Sequence, residues 1–510
     1  MNIIENMEWP PQNRLSLKMQ EHSAWYSGDA EMIANFYSVE VNKEFLSTPF
    51  SVTKESFWSR QIRNQSETFV HVPVANDVCE TSANLLFGES PIIRIGDLKE
   101  NKVQQAMTEK MLTETGFFNK IIEAAETSAA MGGVYVKVAW DKDLSEFPIP
   151  VVWQADYAIP DFKFGMLREV IFWSIVKKEK DKSIVYRLLE TYKKGSITLS
   201  LFKGSEERLG KEIDLFAIEE TQGMEKVIDT DDLLLAVYVP NVLPNKMDRT
   251  SYLGRSDLLG IEGLMDSLDE IYTNWCREIT LAQAKVLIPE SYMKHMKDGG
   301  KRFNPDRTVY VELDIDPVNE KQNITPQQFE IRADEFEKSA LNFLERIVTS
   351  AGYSPQSFGL SISGRAESGT ALHLRERKTF STKAKKEKYW EAAIKHLVFC
   401  MSFVYQKFLS GKDVDLNLDR NVSFSDGVMN DVSEISKALT EIQTAVAASI
   451  DTKVRMLHAD WDEDKIQQEV ERIKEEHMVG EGPPMDNPDL DQINFANDDE
   501  GKGEDNADEQ

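Results

Sequence analysis

The chain has 510 residues, a formal net charge of −28, 41% hydrophobic and 29% charged residues. Its length predicts about two to four domains, and so acidic an exterior disfavours wrapping nucleic acid on the outer surface. Cys79, Cys276 and Cys400 are odd in number and scattered, which excludes a disulfide framework or a cysteine zinc site.

No run is long and apolar enough for a membrane span. Met1 to Pro11 lacks the basic and apolar regions of a secretory signal, so a cytosolic origin is expected.

The first predicted helix lies near Asp29 to Tyr37, and a second runs from Val74 to Phe87 with Gly88 as its stop. Pro91 to Ile95 reads as a short strand. Asn101 to Ala130 reads as helix, broken at Gly116 and closed by Gly132-Gly133, and Val134 to Trp140 as a strand. Between Val151 and Val239 the period is mostly two. Ile171–Lys177, Ile184–Thr191 and Ser196–Phe202 are expected as neighbouring strands of a mixed or antiparallel sheet, with the earlier helices on one face.

After Gly254 the period changes. Ile261, Leu264, Leu268, Ile271, Trp275 and Ile279 predict an amphipathic helix over Ser256–Leu281, with Ser256 as N-cap. Val286–Ile288 and Val309–Leu313 read as strands of a small insert. Thr325 is expected to cap a second long helix that starts at Pro326, has Gln328 in its third position and ends at Gly352. A glycine- and serine-rich segment leads into the longest helix, from Glu367–Thr370 to Leu409. Trp390, Ala393, Leu397, Met401, Val404 and Phe408 lie on one side of it, and a bend is expected. Asp415–Phe424 reads as strand rejoining the sheet domain, and Asp431–Ala448 and Asp462–His477 as helices. Gly480–Gln510 reads as a disordered acidic tail. Glu475 to Gln510 holds thirteen acids and one lysine, a net of −12 that leaves −16 for the rest.

Little of this pattern suggests chemistry. There is no Gly-Lys-Ser/Thr phosphate loop, and Gly359, Gly364 and Gly369 miss the dinucleotide spacing. His22, His71, His295, His373 and His396 form no metal motif. Acidic pairs such as Asp231-Asp232, or Asp141 with Asp143, are too common here to mark a nuclease. No catalytic residue, metal site or cofactor is expected. The stronger lead is basic: Arg375, Arg377, Lys378, Lys383, Lys385, Lys386 and Lys388 fall within 14 residues that contain only Glu376 and Glu387 as acids. Solvated charge, pairing with a neighbouring subunit and contact with DNA phosphates all remain open for them. Without interleaved aromatics, any such DNA contact would be sequence-blind.

Several stretches carry a family likeness. They are Tyr26-Ser27-Gly28-Asp29 with Phe36-Tyr37, and Val74 to Glu89. Further along come Ser368-Gly369-Thr370-Ala371-Leu372 with Leu374-Arg375, and Leu457 to Glu475. In this order, across residues 20 to 480, the chain resembles portal proteins of tailed double-stranded DNA bacteriophages, of the type found in Bacillus siphophages.

The resemblance implies an α+β multidomain portal fold with wing, long-helix stem, small α/β clip and helical crown. On this sequence the wing would be 1–250, rejoined by 411–430. The stem helices would be 251–284 and 325–352, and the clip 285–324. The tunnel loop would be 353–368, the long kinked helix 369–410, the crown 431–479 and the acidic tail 480–510. It also implies a homo-oligomeric ring at one capsid vertex, of twelve subunits, or thirteen when recombinant. Double-stranded DNA would pass through its channel in packaging and ejection. The implied partners are the terminase large subunit, which would supply the ATP hydrolysis, a head-completion adaptor, and the major capsid and scaffolding proteins, with no membrane. The ring would be assembled in the host cytoplasm and reside in the virion.

One departure concerns the expected tunnel-loop residues Gln356, Ser357, Phe358, Gly359, Leu360, Ser361, Ile362 and Arg365. They are polar and apolar, with one base, so steric low-friction contact with DNA is expected rather than tight binding. A smaller adaptor protein, a metal-dependent nuclease and a plain scaffold are the competing readings.

Overall fold

The computed structural model describes residues 4–11, 13–37, 56–61, 69–97, 100–179, 183–282, 285–289, 310–313, 325–327, 330–360, 369–409, 414–424, 439–445, 448–458 and 463–480. The chain divides into two compact units, Met1–Gly427 and Val428–Gln510.

The first unit opens with helices α1 (Arg14–Tyr26), α2 (Ala30–Phe36) and α3 (Phe57–Gln61). Helix α1 was not expected, because it shows water a mostly polar face and buries only Met19, His22, Ala24 and Trp25. Its start is set by Asn13, whose side chain accepts the backbone N–H of Leu15 and of Ser16. Next come α4 (Val74–Phe87), β1 (Ile92–Ile95), α5 (Lys102–Glu114) and α6 (Phe117–Met131). Gly116 separates α5 from α6 with φ 63°, a left-handed turn where glycine is favoured.

Strands β2 (Gly133–Ala139), β3 (Ile149–Gln154), β4 (Ala158–Lys163), β5 (Met166–Glu179), β6 (Ile184–Lys193), β7 (Ser196–Gly204), β8 (Lys211–Ile213), β9 (Val227–Asp229) and β10 (Ala236–Pro240) follow. They form an antiparallel three-stranded sheet ordered β10-β2-β3 and a larger antiparallel sheet ordered β4-β5-β6-β7-β8, with β9 also on β7. Alternation loads both faces of the larger sheet. Val170, Phe172, Leu188 and Leu201 join the main core, while Ile171, Trp173, Leu189 and Phe202 form a second one with Trp9 and Leu209. The earlier helices therefore do not act alone, since the N-terminal segment seals the other face.

Helix α7 (Glu262–Leu281) starts six residues later than predicted. Ser256 is not its cap: its hydroxyl donates to Ala129 O at 3.0 Å and accepts the N–H of Leu258. Strand β11 (Lys285–Pro289) pairs in parallel with β12 (Tyr310–Leu313) and antiparallel with β13 (Thr325–Gln327). Thr325 and Pro326 thus belong to a strand and not to a helix start, because pairing with β11 outweighs the local capping pattern. The second long helix, α8 (Ala333–Ala351), begins near its own apolar line and ends at Gly352 as expected.

Helix α9 (Gly369–Val404) is the longest among the described residues, and it passes into a π-helical turn, Tyr405–Leu409, at its end. Strand β14 (Arg420–Ser423) pairs antiparallel with β1 in a separate two-stranded sheet, so the expected return to the larger sheet is not what its backbone pairing makes.

In the second unit, residues 439–444 are helical. Helices α10 (Ile450–Leu457) and α11 (Glu463–Gly480) pack around Val454, Ile466 and Val470. Most of the expected helix from Asp431 and all of the tail beyond Gly480 lie outside the described residues.

Candidate functional site

The site is built around one stripe of α9. Trp390, Ala393, Leu397, Met401 and Val404 are buried, as their spacing predicts. The stripe continues backwards through Lys386, Thr382 and Thr379, steps of four, four and three residues that keep one helix face. Here it is polar, yet Thr379 is 1% and Lys386 2% exposed. The polar half meets the end of α8 and a 3₁₀ turn, Pro355–Phe358. Thr382 Oγ1 donates to Gly352 O at 2.7 Å. The N–H of Ser354 donates to Thr379 Oγ1 at 2.8 Å, and Ser354 Oγ donates to Arg375 O at 2.9 Å. Gly352 has φ 114°, and an added Cβ would lie 3.2 Å from Thr382 Oγ1. The chain can leave α8 along α9 because this residue is glycine.

At the inner end of this seam, Lys386 Nζ donates to Asp257 Oδ2 at 2.5 Å, Ser82 Oγ at 2.7 Å and Tyr353 OH at 3.0 Å. Tyr353 OH donates to Asp257 Oδ2 at 2.7 Å, and Asn241 Nδ2 to Asp257 Oδ1 at 2.8 Å. Burial, and then the carboxylate of Asp257, push the Tyr353 phenol well above its ordinary range. One buried ammonium thus joins α4, α9, the turn after α8 and the approach to α7. Net stabilisation by such a pair is small, but a register that broke it would strand a buried charge.

The basic cluster therefore divides. Lys386 turns inward, where Asp257, Ser82 and Tyr353 hold its ammonium inside its own subunit. Lys383 has a side chain only 10% exposed and sits 3.6 Å from Glu387. Lys378 reaches Thr349 O, and burial, then Arg346, lower its pKa. Arg377, Lys385 and Lys388 are exposed on the face of α9 away from the buried stripe. Arg375 is exposed as well.

The described part of the expected tunnel loop is pinned rather than free. Ser357 Oγ lies 2.9 Å from Thr379 Oγ1, Phe358 meets the Tyr353 ring edge-on at 6.0 Å, and Gln356 O accepts the N–H of Gly359 at 3.0 Å. Leu360 closes the turn on Pro355 O at 3.2 Å. Ser361, Ile362 and Arg365 lie outside the described residues.

Sequence reasoning missed the acids of α7. Asp269, fully buried, accepts from Trp58 Nε1 at 2.9 Å and the N–H of Val72 at 2.9 Å, and lies 2.8 Å from His71 Nδ1. Asp266 accepts the N–H groups of Phe57 and Trp58 at the start of α3. Glu262 lies 2.9 Å from both Lys18 and His22. Burial raises its pKa, but the His22 hydrogen bond and the Lys18 charge outweigh it and bring the carboxyl down to about 2. A signal existed: Glu262, Asp266 and Asp269 recur at steps of four and three on a helix otherwise read for its apolar line.

Burial pushes the Cys79 thiol well up and the Cys400 thiol to about 12, so neither behaves as a nucleophile. Among the described residues no group of three His, Cys, Asp or Glu could hold a metal ion. Nor is any described helix long and apolar enough to cross a membrane.

A family profile described as "Phage portal protein, SPP1 Gp6-like" matches residues 17–478. Comparison with curated proteins gives no match. Among solved structures, a chain of "Neck of empty GTA particle computed with C6 symmetry" is 11% identical with a TM-score of 0.40, covering 79% of this chain and 93% of that one. A chain of "Virion of native gene transfer agent (GTA) particle" is 10% identical with a TM-score of 0.39, covering 89% and 96%. On the match across residues 17–478, the chain belongs to the SPP1 Gp6-like phage portal protein family, structural connector proteins that form an oligomeric channel.

Proposed function

We propose that this chain forms a homo-oligomeric ring of twelve subunits at one capsid vertex, through which double-stranded DNA is packaged and later ejected. The observation that carries the reading is the seam of α8, the 355–358 turn and α9, closed by Lys386 and Asp257. It ties together a segment that would stand at the channel wall in this reading. The sheet-rich residues 1–250 with 411–430 serve as the wing, α7 and α8 as the stem, 285–324 as the clip and 431–479 as the crown.

The partners follow from this placement: a terminase large subunit that supplies the ATP hydrolysis, a head-completion adaptor at the clip, and capsid and scaffolding proteins at the rim. Assembly in the host cytoplasm and residence in the virion complete the reading. The narrower Bacillus siphophage type rests on the ordered motifs of residues 20–480.

Contact with DNA is steric. The pinned turn is uncharged from Gln356 to Leu360, and Arg365 is the one base in the segment that leads on to α9. Tight phosphate contacts would retard a moving duplex, because each must be broken in turn. Electron microscopy of the purified chain tests the function. A turbine-shaped ring with a central hole is the expected result, and a stable monomer at high concentration overturns it.

A further inference from the structure

We propose that the turn Phe164-Gly165, at one edge of the larger sheet, inserts into the cleft at the opposite edge of the same sheet in the neighbouring copy. This deepens the ring reading above and rests on it. Lys163 pairs with Met166, so Phe164 and Gly165 alone join β4 to β5. Both have left-handed backbone, with φ 54° and 81°. A two-residue hairpin of type I′ requires positive φ at both positions, and Asn-Gly is its usual solution. Phenylalanine is a strained choice there. Among the described residues none buries the ring: Phe164 is 88% and Met166 76% exposed, and Lys163 Nζ lies 5.5 Å from the Phe164 ring centre.

The opposite edge has a matching vacancy. Strand β9 pairs with Ser196–Thr198 of β7 and β8 with Leu201–Lys203. Between them the Leu199 N–H donates to Lys226 O at 2.9 Å, and Leu199 and Ser200 line a cleft beside the two short strands. The cleft there has a volume of about 800 Å³. Phe216, Met224 and Val227 line it and are 67%, 39% and 59% exposed. Glu212, Asp214 and Glu225 also line it, against one base, Lys226, which pairs with Glu212. The cleft is thus acidic at its rim, and Lys163 enters beside Phe164.

Strands β4 and β8 are the two ends of the sheet order. A rotational ring joins one patch of each subunit to a different patch of the next. Two exposed apolar patches at opposite sheet edges satisfy that geometry, and patches of this kind mark interaction surfaces.

The test uses the full chain with the exposed Cys276→Ser, carrying Met166→Cys beside the intact Phe164, Val227→Cys or both, treated with a short bismaleimide after assembly. The double variant is expected to give a covalent ladder that climbs to the whole ring on a denaturing gel, while each single variant stays monomeric. Intact rings without a ladder overturn the knob-in-cleft contact alone, as do covalent dimers from Met166→Cys by itself. Failure of the parent chain to form any ring overturns the ring reading and this contact together.

Phe164→Asn supplies a measurement in which two effects have opposite signs. It is expected to raise the melting temperature of the dissociated chain, by relieving the backbone, and to lower the assembled fraction about tenfold, by removing the knob. Unchanged assembly would overturn the proposal.

Discussion

Lys386 and Asp257 are 129 residues apart in sequence and meet as a buried ion pair at 2.5 Å. Each is almost wholly removed from water, at 2% and 5% exposed. The pair sets the register of α9 against the rest of the first unit, and its removal from one side is the most costly change the seam can suffer.

Lys386→Met is therefore expected to lower stability by about 3–5 kcal/mol, because Asp257 is left charged and buried. Adding Asp257→Asn removes the stranded charge and is expected to recover at least about 1 kcal/mol of that loss. Denaturant unfolding of the single and double variants measures both, and simple additivity would contradict the pairing.

Gly352→Ala tests the exit from α8. The left-handed backbone costs any other residue about 1–2 kcal/mol, and Thr382 must also shift. Thr382→Val removes the bond to Gly352 O and is expected to cost about 1 kcal/mol. Thermal melts of the two variants check this, and a neutral Gly352→Ala would mean that the turn relaxes freely.

Acid should loosen the contact of α1 with α7. The Glu262 carboxyl is held at about 2 in the folded chain against an ordinary 4.5. Its folded pKa is depressed, so its contribution is fully present above about pH 4.5 and is lost as pH falls towards 2. The amount at stake is on the order of 3 kcal/mol. Glu262→Gln should flatten this part of the acid dependence, measured as the difference in unfolding free energy between pH 6 and pH 3. A variant that loses as much stability as the parent over that range would refute the assignment.

The exposed bases Arg377, Lys385 and Lys388 can be reversed to Glu together without entering the core. If they pair with acidic residues of a neighbouring subunit, ring assembly measured by sedimentation collapses. Intact rings with weaker, more salt-sensitive DNA contact would place them at the channel instead. Lys386 must be left out of such a set, since its reversal would bury a carboxylate beside Asp257.

Much of the scaffold was legible along the chain. Val74–Phe87 with its stop at Gly88, the break at Gly116, the three neighbouring strands β5 to β7 and the end of α8 at Gly352 follow local rules of period and glycine conformation. Misreadings occurred where a distant partner decides. Ser256 has the chemistry of an N-cap, but Ala129 takes its hydroxyl. Thr325-Pro326 has the look of a helix start, but β11 takes it as a strand.

The sequence by itself determined the alternation of helices and strands, the likeness to portal proteins and the concentration of charge in α9, because each depends on neighbours a few residues away. Tertiary structure alone decided what that charge does. The same helix turn holds Lys385 in water and Lys386 in the core, and adjacent lysines are indistinguishable until a carboxylate 129 residues away is placed beside one of them. A buried polar stripe leaves no hydrophobic period to read, since Thr379, Thr382 and Lys386 pack by hydrogen bonding, and their partners come from other parts of the fold.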